Sequence, residues 1–191
     1  MSSDSNIFGI GTWITIAFAR YVSDVLSLLN TKIFVLSNNV IVKTTTKKLQ
    51  NILWFLKKHS LSIYHQLIEI AVEDTPKRKE RFRVNYILST LYYAHKVLIT
   101  LTTGELSYVP SIIKIFLSAG WLEREVWDLF GIYFYNHPNL RRILTDYGFP
   151  CHPLRKDFPL SGFFEIRYSI SKKKIVTEPV EFAQEFRIFT I

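Results

Sequence analysis

The chain is poor in cysteine, glycine and proline, with one, seven and seven among 191 residues, and it has no long hydrophobic run. A single thiol, Cys151, cannot form an internal disulfide and cannot supply the several thiolates that an iron–sulfur cluster needs. The longest apolar stretch is residues 7–19, which is shorter than the roughly 20 residues of a membrane-spanning helix. The first thirty residues hold one Arg and two Asp, unlike an Arg-rich transit peptide. We therefore expect no disulfide, no membrane span and no removable leader.

The composition that remains is typical of a folded, basic protein. Apolar residues make up 48% and charged residues 21%, and 24 basic against 16 acidic residues give a net charge of +8. The excess lies in residues 1–120, with 14 basic and 7 acidic residues, whereas residues 121–168 hold 6 of each. Positive charge favours anionic partners or acidic protein surfaces. The aromatic content of 15% favours burial against other chains.

Hydrophobic periodicity predicts helices and strands in the first hundred residues. Helical spacing covers residues 12–30, and a second helix is expected from about residue 49 to 59, with a threonine of residues 44–46 as its N-cap. Two β-branched runs about Ser37-Asn38-Asn39 predict a hairpin over residues 32–43. Three further strands are predicted, at Gln66–Val72, Phe82–Ser89 and Lys96–Thr102.

The second half of the chain predicts a helix followed by an extended tail. Pro110 is expected to open a helix at its first turn, with a break at Gly120 and an end at Gly131. Four of the seven prolines lie in residues 136–163, which predicts an irregular, extended segment, and a late hairpin is expected over residues 163–178. The predicted fold is α+β. Helices pack on a mixed sheet with hairpins in residues 1–131, and an extended, partner-wrapping tail with a short hairpin follows in residues 132–191.

Motifs for metal, nucleotide and nucleophile chemistry are missing. Cys151 and His152, with His137 further upstream, fall short of the paired ligands of a structural zinc site, so hydrogen bonding in loops is the favoured interpretation. There is no G-x-G-x-x-G, P-loop or G-x-S-x-G motif. We expect this chain to bind no cofactor and no metal of its own.

The acid-rich stretch from Glu123 to Asp128 is interpreted as structural or as part of an interface. Glu123 and Glu125 lie two apart on a helix and do not face each other, so they do not form a catalytic dyad. Arg124 and Asp128, at i and i+4, are expected to share a face and could pair, and Glu125 and Asp128, at i and i+3, share a face too.

Two other functions stay open on the residues alone. The basic runs at residues 77–83 and 172–174 could bind phosphates, which would make the chain an organellar RNA-binding protein of ribosomal type. A solvated loop or an acidic protein partner is the favoured interpretation of these runs. A stand-alone acid–base enzyme would need a cleft that joins Glu123 or Glu125 to a histidine.

Three stretches carry a resemblance to one family. Residues 121–132, 137–149 and 152–162 read WLEREVWDLFGI, HPNLRRILTDYGF and HPLRKDFPLSG. They closely resemble the signature of the 30 kDa-type subunit of respiratory NADH:ubiquinone oxidoreductase (complex I), often encoded in mitochondrial genomes as NADH dehydrogenase subunit 9. Weaker similarity extends to residues 74–86 and 178–187. Cys151 stands where the family commonly has glycine, so we expect this position to need no positive φ.

The resemblance implies a non-catalytic assembly subunit of the peripheral arm, on the matrix side of the mitochondrial inner membrane. Its tail would lie over the 49 kDa-type and PSST-type subunits, which frame the quinone pocket and the last iron–sulfur cluster. Iron–sulfur clusters, FMN and ubiquinone would belong to neighbouring subunits. The interface set that the resemblance implies is Glu123, Arg124, Glu125, Asp128, His137, Pro138, Arg141, Arg142, Asp146, His152, Arg155, Lys156 and Asp157.

Overall fold

The frame of the molecule is a five-stranded sheet. The structure is a computed structural model that describes residues 16–26, 31–36, 39–92, 95–181 and 187. Its strands are β1 (Lys32–Leu36), β2 (Asn39–Thr44), β3 (Gln66–Asp74), β4 (Phe82–Ser89) and β5 (Lys96–Thr103). They lie in the order β1-β2-β5-β4-β3, with β2 and β5 parallel and the other neighbours antiparallel. The first hairpin and the three following strands are therefore confirmed.

Three helices share one core with this sheet. They are α1 (residues 16–25), α2 (Leu49–Lys58, entered through a 3-10 turn at Thr46–Lys48) and α3 (Ala119–Phe130). Alternate side chains of β4 are fully buried, since strand residues point to opposite faces in turn, and they join the apolar stripes of the helices in a single cluster. The predicted α+β class is confirmed. Residues 12–15 and 27–30 of the first predicted helix lie outside the described residues.

The helix predicted at Pro110 is wrong, because that residue lies in a short strand. β6 (Val109–Pro110) pairs in parallel with β7 (Phe134–Tyr135), and the Ser111 N–H donates to the Tyr135 carbonyl at 2.9 Å. The backbone of β6 and Ser111 therefore forms hydrogen bonds with the residues that follow α3 and is not available for a helix. The helix begins at Ala119. The predicted threonine cap of α2 is also wrong, because Thr45, which precedes the 3-10 turn, makes no side-chain capping bond.

The irregular segment and the late hairpin are confirmed. Residues 136–163, called here the tail segment, contain no helix and no strand. After it, β8 (Phe164–Ser169) and β9 (Lys174–Pro179) form an antiparallel hairpin. Among the described residues no helix is long and apolar enough to cross a membrane. The division of the chain at residue 131 stays a prediction.

Candidate partner-binding segment and its anchors

The tail segment caps the C-terminal end of α3. An α-helix leaves its last four carbonyls without partners of its own, and in α3 only the first of these is closed by the helix itself, through the Gly131 N–H to Trp127. The carbonyls of residues 128, 129 and 130 accept hydrogen bonds from His152 Nδ1 at 2.9 Å, the Leu154 N–H at 3.1 Å and Arg155 Nε at 2.6 Å. The motif at residues 152–155 is therefore the helix-end anchor of the tail segment.

Gly131 is required at this anchor for two reasons. Its φ of +75° lies in the left-handed region that ends many helices. A Cβ there would also lie 2.5 Å from the His152 ring and 2.6 Å from the Arg155 guanidinium. The positive Arg155 stands at the negative end of the helix dipole, which adds electrostatic stabilisation. Burial lowers the pKa of His152, so the neutral ring donates from Nδ1 to the Asp128 carbonyl.

The carboxylate of Asp128 forms the second anchor. It is fully buried and accepts the backbone N–H groups of residues 143, 144 and 145 at 3.2, 2.8 and 2.9 Å, and the Thr145 hydroxyl at 2.7 Å. Arg142 approaches it at 3.5 Å. Burial alone would raise the pKa of Asp128, but the hydrogen bonds from Thr145 and the backbone outweigh burial and leave the pKa below its usual value. One side chain thus fixes three consecutive residues of the tail segment.

A third anchor binds the tail segment to the sheet through Asp74, the last residue of β3. Its buried carboxylate accepts hydrogen bonds from Arg81 Nε and Nη2, at 2.8 and 2.9 Å, and from the Lys156 N–H at 2.8 Å. Arg81 also reaches Asp157 at 3.0 Å. Hydrogen bonds from Arg81 lower the pKa of Asp74 more than burial raises it, so the carboxylate stays ionised. Glu105, after β5, completes the anchor by pairing with Arg155.

Glu123 lies inside the core formed by the five-stranded sheet and α1 to α3, called here the sheet domain. Its carboxylate accepts the Ser111 hydroxyl at 2.6 Å and the Ile112 N–H at 2.7 Å, and it holds the turn after β6 against α3. His137 Nε2 lies 3.9 Å from it and donates to the Gly120 carbonyl at 3.2 Å. The acid–histidine contact of the enzyme hypothesis therefore exists, but the Glu123 and His137 side chains are only 0% and 2% exposed, so both are buried in the described part of the chain.

The predicted pairing of Arg124 with Asp128 is wrong. Arg124 Nε donates to the Arg141 carbonyl at 3.2 Å, and Asp128 is turned towards residues 143–145. Backbone N–H groups reach the buried carboxylate, and Arg124 instead lies over the exposed Trp121 ring, 5.4 Å from its centroid.

The other predicted interface residues lie on the surface. Glu125 is half-buried on α3, and the exposed members are Pro138, Arg141, Asp146, Lys156 and Asp157. The prediction that the set contacts a partner stays a prediction. Within the described part of the chain, no three His, Cys, Asp or Glu side chains come together to hold a metal ion.

Cys151 has a positive φ, contrary to the expectation from the sequence. Its φ is +63°, in the left-handed region, so the expectation of an ordinary φ is wrong. In this conformation its carbonyl accepts a hydrogen bond from Arg142 at 2.8 Å, one residue before the helix-end anchor. The thiol itself is exposed.

Sequence reasoning missed the residues of the sheet domain that hold the tail segment. Asp74, Arg81 and Glu105 lie 50 to 82 positions from their tail partners, and a single sequence carries no signal for such pairs. One local signal was available. α3 has no basic residue in its last turn, which leaves its carbonyl end to be satisfied from elsewhere.

The tail segment turns large apolar side chains outward. Tyr147 is fully exposed, and Leu160 and Leu144 are 83% and 54% exposed. A shallow cavity of about 710 Å³ between the tail segment and the β8–β9 hairpin is lined mainly by aromatic and aliphatic side chains, among them Phe149, Phe158, Leu160, Phe163 and Phe164. Polar anchors on the inner side and apolar groups on the outer side define a class of protein, a subunit that is built into a larger assembly.

Comparison with known proteins identifies the assembly. The chain belongs to the family of the 30 kDa subunit of respiratory-chain NADH dehydrogenase, whose profile matches residues 42–164. It is 51% identical to NADH dehydrogenase [ubiquinone] iron-sulfur protein 3 of Patellifolia webbiana over 146 residues, 76% of each chain. It is 47% identical to NADH-ubiquinone oxidoreductase subunit 9 of Acanthamoeba castellanii over 153 residues, 80% of this chain and 77% of that one.

A solved structure shows the same fold. In the membrane-bound sulfane sulfur reductase, an archaeal respiratory membrane complex, one chain superposes with a TM-score of 0.64 at 22% identity, covering 75% of this chain and 86% of that one. The family membership supports the role of a complex I subunit, in a hetero-oligomer with other subunits, and not the RNA-binding alternative.

Proposed function

We propose that this chain is a non-catalytic subunit of the peripheral arm of complex I, on the matrix side of the mitochondrial inner membrane. Its tail segment binds the 49 kDa-type and PSST-type subunits and keeps the quinone module in shape for electron transfer to ubiquinone. The observation that carries this proposal is the two-sided tail segment. Its backbone donates hydrogen bonds at anchors of its own chain, and the apolar side chains of Leu144, Tyr147 and Leu160 are exposed.

The anchors support binding because they order the tail segment before a partner arrives. An irregular segment that becomes ordered only on binding loses conformational entropy at that moment, and this loss weakens the affinity. Here the backbone of residues 143–145 and 154–156 is already held by Asp128, the end of α3 and Asp74. A partner therefore meets a preformed surface whose exposed aromatic and aliphatic groups are the usual centres of interface energy.

The absence of a catalytic role is supported by the hydrogen bonds of the candidate groups. Glu123 and Asp128 are buried and occupied by donors of their own chain. His137 and His152 each donate to a backbone carbonyl. In this proposal the iron–sulfur clusters, FMN and ubiquinone bind to the neighbouring subunits.

The test compares two exposed leucines. Leu160 lies in the tail segment and is 83% exposed, whereas Leu106 lies in the loop after β5 and is 100% exposed. Leu160→Asp should lower the amount of assembled complex on native gels by about tenfold, because a carboxylate would be buried in the interface. Leu106→Asp should leave assembly and NADH:ubiquinone activity unchanged. Normal assembly with Leu160→Asp, in a full chain of unchanged thermal stability, would contradict the proposal.

A further inference from the structure

The outer face of the five-stranded sheet carries a row of apolar side chains. The strand register places Phe34 beside Ile41, Ile41 beside Leu98, and Leu98 beside Ile87, so that the row crosses four strands. These positions alternate with the buried ones of the same strands and so lie on the face opposite to the helices. Phe34 is 45% exposed, and Leu36 beside the row is 65% exposed. A shallow depression of about 250 Å³ lies along the row.

Lysines flank this row on both sides. Lys32 and Lys43 are direct cross-strand neighbours, and like charges placed opposite each other destabilise a sheet. Lys43 Nζ lies 4.7 Å from the centroid of the Phe34 ring, and Lys96 borders the depression at the other side of the row. Among the described residues none of these three lysines forms an ion pair with a carboxylate. The charge around the β1, β2 and β5 part of the row is therefore positive. The carboxylate on this face nearest the row in the strand register, Glu69, lies beside Ile87 at the far end and forms no ion pair with these lysines in the described part of the chain.

The other half of the same face compensates its own polar groups. Arg83 pairs with Glu73 at 2.9 Å, the Asn85 amide donates to Glu73 at 3.2 Å, and the Thr100 hydroxyl donates to Asn85 at 2.9 Å. This half needs no external partner. In the described part of this face, compensating ion pairs are therefore missing at the lysines that flank the apolar row.

We propose that the apolar row is a docking surface for a segment of another complex I subunit whose apolar side chains are flanked by carboxylates. The proposal rests on the proposed function, since it takes its partner from the same assembly. The charge argues for this occupant over two others. The first alternative is the chain's own residues 1–15. They contain a single acidic residue, Asp4, which is too few to pair with Lys32, Lys43 and Lys96. A second copy packed through the same face would bring lysines against lysines, because a two-fold interface uses the same patch twice.

The first test uses the purified, assembled complex. Carbodiimide joins lysines to carboxylates in direct contact, and mass spectrometry identifies the pairs. We expect links from Lys32, Lys43 or Lys96 to Asp or Glu of another subunit. An amine-acetylating reagent should modify these lysines about tenfold less than the exposed loop lysines Lys77 and Lys79. Links to Asp4, links to a second copy, or equal acetylation would overturn the proposal.

The second test uses charge reversal. The double variant Lys43→Glu/Lys96→Glu should lower recovery of the chain in the complex by about tenfold, because like charges would meet in the interface. The matched control, Lys77→Glu/Lys79→Glu, should be recovered normally. The two proposals fail separately. If Leu160→Asp blocks assembly while Lys32, Lys43 and Lys96 stay fully reactive in the complex, the docking surface is refuted and the function of the tail segment stands.

Discussion

The sheet domain and the tail segment are stabilised by different interactions. The sheet domain has an apolar core in which Phe82, Leu88 and Ile99 are completely buried. In the tail segment the corresponding side chains, such as Tyr147 and Leu160, are exposed, and its backbone is held by hydrogen bonds to Asp128, Asp74 and the end of α3. Buried apolar side chains stabilise the sheet domain. Hydrogen bonds to polar groups outside the tail segment stabilise the tail segment.

The difference explains how an irregular segment can have a defined shape without a core. Apolar burial is not directional, so it stabilises a fold without fixing each backbone atom. A carboxylate that accepts three consecutive N–H groups fixes those residues one by one. The apolar side chains of the tail segment then remain free for a partner. The comparison predicts that the ordered conformation of the tail segment depends on a few hydrogen-bonding atoms, whereas the stability of the sheet depends on many apolar contacts.

The largest expected effect comes from the Asp128 anchor. Asp128→Ala removes the acceptor of the N–H groups of residues 143–145 and of the Thr145 hydroxyl, and it should lower the free energy of unfolding by about 4 kcal/mol. Urea unfolding of the full chain measures this loss. Limited proteolysis should show new cleavage within the tail segment and none within β4 or β5.

The matched control for this variant is Asp146→Ala. Asp146 is exposed, and within the described ranges its carboxylate accepts only the N–H of the next residue, Tyr147. Its replacement should change stability by less than about 0.5 kcal/mol. Equal losses in the two variants would show that the Asp128 carboxylate does not anchor the tail segment. Cleavage spread evenly over the chain after Asp128→Ala would show that the tail segment and the sheet domain unfold as one unit.

The second effect separates the two regions by pH. Burial raises the pKa of Glu123 from 4.5 to about 7, against the opposing hydrogen bonds from Ile112 and Ser111. Between these values the folded chain keeps a proton that the unfolded chain releases, so the free energy of unfolding decreases as the pH rises through this window. The difference corresponds to about 3 kcal/mol. Glu123→Gln should flatten this part of the profile, and Glu125→Gln should retain it.

The carboxylates of the tail anchors affect the free energy of unfolding at the acidic end of the same pH profile. Hydrogen bonds hold the pKa of Asp74 and of Asp128 below 3.8, so both carboxylates contribute stability above that pH and lose it as the pH falls through their folded values. Urea unfolding measured from pH 3 to 8, with proteolysis at each pH, tests both limbs. A slope above pH 5 that survives in Glu123→Gln would assign it to another group.

Prediction from the sequence succeeded where the signal is local and failed where it is not. The strand at Phe82–Ser89 was predicted with its observed bounds, because alternation along a buried strand is visible in eight residues. The prolines of residues 136–163 likewise predicted the irregular segment. The helix at Pro110 failed because the backbone there pairs with Phe134–Tyr135, beyond α3, which no local pattern reports.

The candidate site shows the same limit. The resemblance selected Asp128, His152 and Arg155, and these residues do form the anchors. Their binding partners, however, are groups of their own chain, among them the carbonyl end of α3. A charged residue can contact another subunit directly, or it can order the tail segment that makes the contact. The residue type alone does not distinguish these two roles.

The smallest expected effect concerns the backbone of the tail segment at Cys151. A residue with a Cβ pays a steric penalty at φ +63°, so Cys151→Gly should raise the free energy of unfolding by up to about 1 kcal/mol. Cys151→Ser keeps the Cβ and should leave stability unchanged, which separates the backbone effect from loss of the thiol. Gly148→Ala, at φ +69° with no atom within 4 Å of the added Cβ, should lose a similar amount. If Cys151→Ser stabilises as much as Cys151→Gly, the thiol and not the backbone is the source of strain.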